Sequence, residues 1–258
     1  MSAISSVGAS SSVYSQLASG YRINSAADDA AGLGIAERED AQIKGMDQGT
    51  NNMESLKDVT RVADGALSGI TDSLQRMREL AVQASNGLLT SSDRGAIQEE
   101  INQLKQGISD IAGQTTYNTK NILDGSNPAF SAATDGNGNS MGIDNGNATL
   151  QSLGIASFDV TGDFDISDID KALDKVNSMR AVTGAQSNAL DYQIDVSKYS
   201  SYNTTAAKSR IEDLDYPQAV SEQKKQQLLE TYTLMMQKKK QEQEEHQSQA
   251  LFSPTFLR

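Results

Sequence analysis

The stretch LKDVTRVADGALSGITDSLQRMRELAVQA, residues Leu56–Ala84, decides the fold class. Its apolar side chains are Leu56, Val59, Ala63, Leu67, Ile70, Leu74, Met77, Ala81 and Ala84, separated by 3, 4, 4, 3, 4, 3, 4 and 3 positions. Alternation of threes and fours holds side chains on one helical face; sustained over this length it is a coiled-coil seam, with one stutter near Ala63. No proline occurs between Ser25 and Asn86, so the helix is expected to start near Ala30. From Ala30 to Ser85 it spans about 80 Å at about 1.5 Å per residue. Ordinary globular helices run ~8–20 residues, so this one reads as a rod. Gly32, Gly34, Gly45, Gly49, Gly65 and Gly69 interrupt it. Each costs ~1 kcal/mol against Ala in a helix interior. Local weakness or a break of the helix, and close approach of neighbouring helices, are both open readings.

Outward from this helix, Asn86-Gly87 is a stop signal and Thr90-Ser91-Ser92-Asp93 a capping-box start. A second seam follows at Ile97, Ile101, Leu104, Ile108 and Ile111. Two seamed helices joined by a short polar turn form an antiparallel hairpin. Between residues 128 and 170 there are seven Asp and no Lys, Arg or Glu. With its Gly, Asn, Ser and Thr, this region reads as a small β-hairpin, partly loop, with Asn121-Ile122-Leu123 and Phe158-Asp159-Val160 as strand or turn pieces. Ser167-Asp168-Ile169-Asp170 reads as another helix cap. The third seam (Ile169, Leu173, Val176, Thr183, Leu190, Ile194) runs towards Leu214, with Arg180 and Ser187 at two expected apolar positions. Pro217 breaks or restarts the helix. The final helix-prone stretch is rich in Gln, Lys and Glu, with one apolar cluster, Leu228, Leu229, Tyr232, Met235 and Met236.

The expected fold is mainly α: an elongated antiparallel coiled-coil bundle with a small β-hairpin or loop region. Its core seam is Leu67, Ile70, Leu74 and Met77 from the first helix, Ile97, Ile101, Leu104 and Ile108 from the second, and Leu173, Val176, Leu190 and Ile194 from the third. The expected segments are 1–24, 25–125 (N-terminal half of the core), 126–166 (short acidic insert), 167–216 (C-terminal core helix) and 217–258.

Composition narrows the function. Thirty-four acidic residues against 22 Lys and Arg give a net charge of −12. That argues against nucleic acid and against an anionic membrane surface, both of which need a basic stripe. There is no Cys, so thiolate nucleophiles and Cys-ligated metal sites are excluded. A single His, His246, lies in a Glu/Gln tract and reads as an exposed helix residue. Asp28-Asp29 is a carboxylate pair, but neighbours on a helix diverge by about 100° and cannot share a pocket. Asp163-Phe164-Asp165-Ile166-Ser167 imitates the start of a calcium loop, yet Asp168 stands where Gly is required, and Asp135-Gly136-Asn137-Gly138-Asn139 has Ser140 there. No enzyme, cofactor or metal is expected. The first charged side chain is Arg22, so a basic leader region is missing, and any route out of the cell is expected not to cleave such a signal.

LASGYRINSAADDAAGLGIAER (Leu17–Arg38), VADGALSGITDSLQRMRELAVQASNG (Val62–Gly87), SSDRGAIQEEINQLKQGISDIAGQTTYNTKNILDG (Ser91–Gly125) and AAKSRIEDLDY (Ala206–Tyr216) resemble bacterial flagellins. The resemblance implies an extracellular filament subunit whose chain ends fold back to form the rod, with terminal helices lining an inner tube. It also implies other subunits as partners, with an export chaperone, cap and junction proteins, and host Toll-like receptor 5. Two segments depart from the family: Met1–Gln16 is short and Ser-rich, and the helix after Tyr216 is unusually charged.

Gln75, Arg76, Glu79, Leu80 and Gln83 are the expected interaction strip. Arg76, Glu79, Leu80 and Gln83 are spaced 3, 1 and 3 apart, and they are expected to face away from the seam. On the residues alone, a solvated face with local Arg–Glu pairing, worth ~0.2–0.5 kcal/mol, explains them as well. By resemblance, Arg76 and Leu80 match the family's principal receptor-binding Arg and Leu, with Gln75 and Glu79 as neighbours. The acid that receptor-active members carry on the second helix is matched by Gly107. A monomeric secreted ligand for the receptor or for other flagellins is the alternative to a polymerising subunit. The Leu228–Met236 cluster is expected to pack against Ser12–Leu17 or to bind an export chaperone.

Overall fold

The computed structural model describes residues 13–251. The expectations for Met1–Ser12 and for Leu257-Arg258 lie outside them. The chain divides into two units, residues 41–203 and the pairing of residues up to 40 with those from 204.

In the larger unit, α1 (Ala30–Ala84), α2 (Ser91–Gln114) and α4 (Ser167–Glu212) supply the helical core, with the four-residue α3 (Leu150–Leu153) between them. Helix α1 runs unbroken through all six glycines. Ion pairs fix the register of α1 and α4: Glu54–Lys198, Lys57–Asp191, Asp64–Arg180 and Arg78–Asp170. As one number rises the other falls, so the two helices are antiparallel. Likewise Arg76 meets Glu100, and Gly69 faces Ile111. Every seam residue from Leu56 to Ala84 is buried, as are Ile97, Ile101, Ile108, Val176, Leu190 and Ile194. Leu104 and Leu173 are half-buried at the edge of the same cluster, and Ala172 occupies the fully buried position beside Leu173.

The starts of these helices follow the cap chemistry. Thr90 Oγ1 accepts from the Asp93 amide at 3.2 Å, and Asp93 Oδ2 accepts from the Thr90 amide at 2.9 Å, a complete capping box. Those bonds hold the Asp93 carboxyl below its ordinary pKa. Asp165, rather than Ser167, gathers the start of α4, accepting from the Ser167 amide and hydroxyl. The Asp28-Asp29 pair does not lie within a helix. Asp28 closes a turn on Asn24 and Ser25, and Asp29 accepts from the Ala31 and Gly32 amides at the head of α1.

The acidic insert is more ordered than a loop. Strands β1 (Thr116–Tyr117) and β2 (Lys120–Asn121) form a hairpin just before it; β3 (Ala129–Ala133) and β4 (Ser140–Asp144) form the expected hairpin within it. Phe158-Asp159-Val160 is not a strand, although Phe158 and Val160 are buried. Two lysines tie this region to the helices. Lys105 Nζ donates to the Ala156 carbonyl and Lys175 Nζ to that of Ser152, each at 2.7 Å. The Ser152 carbonyl lies at the end of α3, where Gly154 takes a left-handed φ of 87°. The Asp135 carboxylate is committed to the β3–β4 turn through the Asn137 and Asn139 amides.

At Gly45 and Gly49 a neighbour does approach closely, but it is a β-turn and not the expected helix. A Cβ on Gly45 would lie 2.8 Å from the Gly136 amide nitrogen, and one on Gly49 would overlap the Thr134 carbonyl. The β3–β4 turn therefore rests directly on the α1 backbone, with Asn52 Nδ2 donating to the Ala133 carbonyl at 3.0 Å. Gly34 and Gly65 face open space.

In the smaller unit, the chain before α1 pairs with the end of α4. The Arg22 amide donates to the Glu212 carbonyl at 2.7 Å, and the Leu214 amide donates to the Gly20 carbonyl at 3.0 Å. Lys208 bonds Asp40 at 2.7 Å. Helix α5 (Tyr216–Leu251) begins with Pro217 in its first turn. Its Leu228, Leu229, Tyr232, Met235 and Met236 are all exposed, so the expected packing on the segment ending at Leu17 is not formed by these side chains. The link observed there is polar, from Gln227 Nε2 to the Tyr14 hydroxyl at 2.8 Å. No helix among the described residues is long and apolar enough to cross a membrane.

Candidate interaction surface

The interaction strip lies on α1 where α2 and α4 flank it. Successive residues of a helix advance by about 100°, so Arg76 and Arg78 stand about 200° apart around its axis. Arg76 reaches α2 through Glu100, and Arg78 reaches α4 through Asp170 at 2.7 Å. The two arginines mark the rims of the buried arc. Met77, Ala81 and Ala84 lie between them, and so does Leu80.

Leu80 is 2% exposed and belongs to the core cluster. The expectation that it faces away from the seam is therefore corrected. A coiled-coil seam of two helices is narrow. A helix with two partners buries an apolar stripe of about 100° or more, wide enough to take Leu80 in. Gln75, Arg76, Glu79 and Gln83 are exposed, and Val82 between them is also exposed.

Arg76 is held by both of its acidic neighbours. Its Nε and Nη2 donate to Glu100 Oε1 at 2.9 and 2.8 Å, and its Nη1 donates to Glu79 Oε2 at 2.9 Å. Glu100 and, after it, Glu79 push the guanidinium pKa up. The side chain is still about half exposed, at 49%, so these pairs contribute little to stability and mainly fix where the guanidinium points. A side chain already fixed loses less freedom when a partner binds.

Glu100 was not among the residues picked out from sequence. The acid brought to Arg76 on the second helix is Glu100, two turns before Gly107, which meets nothing within 4 Å of its Cβ position. The signal was available in the turn. Folding α1 back on α2 about Leu88 mirrors residue 76 onto residue 100.

Comparison with known proteins bears on the family of the chain. Residues 4–128 match the bacterial flagellin N-terminal helical region, and residues 166–246 match the bacterial flagellin C-terminal helical region. The flagellin of Halalkalibacterium halodurans is 36% identical over 80% of this chain and 79% of its own. The flagellar filament 33 kDa core protein of Treponema phagedenis is 33% identical over 83% of this chain and 82% of its own. The crystal structure of Bacillus cereus flagellin matches with a TM-score of 0.50 and 30% identity, covering 57% of this chain and 88% of that one. A hook-associated protein structure from Vibrio parahaemolyticus, 15% identical at a TM-score of 0.56, shares the fold over 72% of this chain and all of its own. The buried three-helix seam and the matches at both ends of the sequence agree: the chain belongs to the bacterial flagellin family.

Proposed function

We propose that this flagellin is a filament subunit that polymerises through its terminal helices and its core rod. In this reading, Gln75, Arg76, Glu79 and Gln83 contact the neighbouring subunit in the filament. In the released monomer the same strip contacts host Toll-like receptor 5, with Glu100 as the acidic partner on the second helix. Export runs through the flagellar apparatus with an export chaperone, and cap and junction proteins meet the filament ends. Leu80 acts beneath the strip as packing that sets its shape.

The observation that carries the reading is the apolar face of α5. Leu228, Leu229, Tyr232, Met235 and Met236 follow helical spacing and each is more than half exposed. Such a row is stable in water only at a cost that assembly removes. Negative-stain microscopy of purified protein under polymerising conditions tests it: tubular filaments are expected, and persistent monomers remove the filament role. Persistent monomers would instead favour the secreted-ligand reading. The charge of α5, with Lys238-Lys239-Lys240 close to Glu242, Glu244 and Glu245, speaks for that alternative. For the strip, Arg76→Ala is expected to weaken both receptor binding and polymerisation, and unchanged receptor affinity removes the receptor from the proposal.

A further inference from the structure

The turn between β3 and β4 carries a reactive dipeptide that its neighbours leave untied. In an asparagine followed by glycine, the glycine amide nitrogen can attack the side-chain Cγ, and no Cβ on the glycine crowds the approach. The chain has three such pairs, Asn86-Gly87, Asn137-Gly138 and Asn145-Gly146. Three Asp-Gly pairs can close the same ring: Asp64-Gly65, Asp124-Gly125 and Asp135-Gly136. Closure needs a side chain free to swing towards the next amide, so the fold decides which of the six reacts.

Five of them are held. Asn86 Oδ1 accepts from the Leu88 amide at 3.0 Å, while the Asn86 carbonyl accepts from the Leu89 amide. Asn145 Nδ2 donates to the Asn127 carbonyl at 2.8 Å, and Gly146 is confined by Met179, whose sulfur lies 2.7 Å from where a Cβ would stand. Asp64 lies inside α1 and bonds Arg180. Asp124 accepts from the Ser126 hydroxyl and amide and from Asn121, and Asp135 from the Asn139 side chain and the Asn137 and Asn139 amides. Those bonds push both carboxyls below their ordinary pKa, and a carboxylate kept ionised is a poor electrophile. Asn137 differs. It and Gly138 are exposed, and among the described residues neither the Asn137 side chain nor the Gly138 amide has a hydrogen-bond partner.

We infer that Asn137 is a site of spontaneous deamidation, and that the change loosens the β3–β4 turn from α1. The Gly138 nitrogen bonds to Asn137 Cγ, the bond from Cγ to Nδ2 breaks, and Nδ2 leaves as ammonia with the proton of the Gly138 amide. Water then opens the five-membered ring. Attack at Cγ leaves an aspartate side chain at position 137. Attack at the main-chain carbonyl leaves isoaspartate, with the main chain running through Cβ and Cγ. Either product sets a new carboxylate two residues from that of Asp135, and like charges so close repel. The turn has little slack to absorb the longer main chain. The Thr134 amide donates across it to the Asn139 carbonyl at 2.8 Å, and Thr134 and Gly136 rest on Gly49 and Gly45.

The full chain is aged in mildly alkaline buffer, and peptide mass spectrometry follows each Asn-Gly pair, with isoaspartyl methyltransferase reporting isoaspartate. In the folded chain Asn137 is expected to react about tenfold or more faster than Asn86 and Asn145, which must first open locally. In urea, where those bonds are gone, the three rates are expected to agree within about twofold. Asn137→Gln must close a larger ring and is expected to remove the reaction at this position. Hydrogen exchange at the Thr134 amide is expected to quicken about tenfold on ageing in wild type, and not in Asn137→Gln. Equal rates at the three pairs in the folded chain, or a reaction led by Asn86 or Asn145, overturn the assignment. A deamidated chain whose Thr134 amide exchanges as slowly as before overturns the loosening.

Discussion

Gly49 lies against Thr134 with no room for a side chain between them: a Cβ there would overlap the Thr134 carbonyl oxygen. The obstacle is backbone at the β3–β4 turn, which cannot rotate away as a side chain would. Gly49→Ala is therefore expected to destabilise the larger unit by about 1–3 kcal/mol, the usual cost of overpacking, and to break the bond from Asn52 to the Ala133 carbonyl. Gly65, which faces open space, provides the opposite sign. Gly65→Ala is expected to stabilise by up to about 1 kcal/mol, because Ala is the better helix former. Urea unfolding of the two variants checks both, and equal effects would show that the hairpin does not rest on α1.

Leu80 and Arg76 are expected to separate stability from recognition. Leu80→Ala removes a fully buried side chain and is expected to cost about 2–5 kcal/mol. Arg76→Ala removes a half-exposed ion-pair network and is expected to leave the thermal midpoint nearly unchanged. Receptor binding and polymerisation, measured well below the melting temperature of each variant, are expected to respond to Arg76→Ala, Glu79→Ala and Gln83→Ala. Leu80→Ala is expected to act on them through the fold. A Leu80→Met variant that keeps the volume but lost binding as Arg76→Ala does would place Leu80 in direct contact with the partner.

The seam was legible because threes and fours name a helical face without any knowledge of the partner helices. The capping box at Thr90 was legible because its two bonds are local. What spacing does not reveal is how many helices share a face. Leu80 reads as exposed because threes and fours draw a narrow stripe through Leu74, Met77 and Ala81, whereas a helix packed against two others buries the wider arc that includes it, and Glu100 emerges only when the pairing of α1 with α2 is carried through to individual residues. The hairpin of the acidic insert was legible in its turn-forming residues, but the insert's share of the core was not. Its apolar side chains, such as Ile143, Leu153 and Ile155, are widely spaced, and they become core only after Lys105, Lys175 and Gln98 fix the intervening backbone.

Acid is expected to loosen the start of α2 and the turn that precedes α1. The Asp93 carboxyl is held low by the Thr90 amide and then by its hydroxyl, and that of Asp28 by the Asn24 amide and then by Ser25. A carboxyl with a lowered folded-state pKa contributes stability that is present above its unfolded value. The contribution is lost as pH falls from the ordinary value of 3.8 through the lowered one. Stability is therefore expected to fall below about pH 4, and Asp93→Asn is expected to reduce stability at neutral pH and flatten the acid limb. Thr90→Ala, which removes the other half of the box, is expected to cost about 1 kcal/mol. Thermal melts across pH 2–7, read by circular dichroism, would contradict this if wild type and Asp93→Asn lost stability in parallel.

A polar pair sits where the seam between α1 and α4 calls for apolar contact. Ser197 follows Ile194 by three positions, in the rhythm of the buried face, and is itself buried, as is Thr50 across from it. The Thr50 hydroxyl donates to Ser197 Oγ at 3.2 Å, and Ser197 in turn donates to the Met46 carbonyl at 3.3 Å. Thr50 has Ser197 as its acceptor, and Ser197 has Thr50 as its donor and Met46 as its acceptor, so removing either breaks the bond they share. Ser197→Ala and Thr50→Val are each expected to cost about 1 kcal/mol. Together they leave an apolar contact with no hydroxyl to satisfy, and the double variant is expected to cost less than the sum of the two. A double-mutant cycle in urea measures the difference, expected at about 0.5 kcal/mol or more. Strict additivity would mean that the two hydroxyls do not depend on each other and that the register of α1 against α4 rests on the ion pairs and the apolar seam alone.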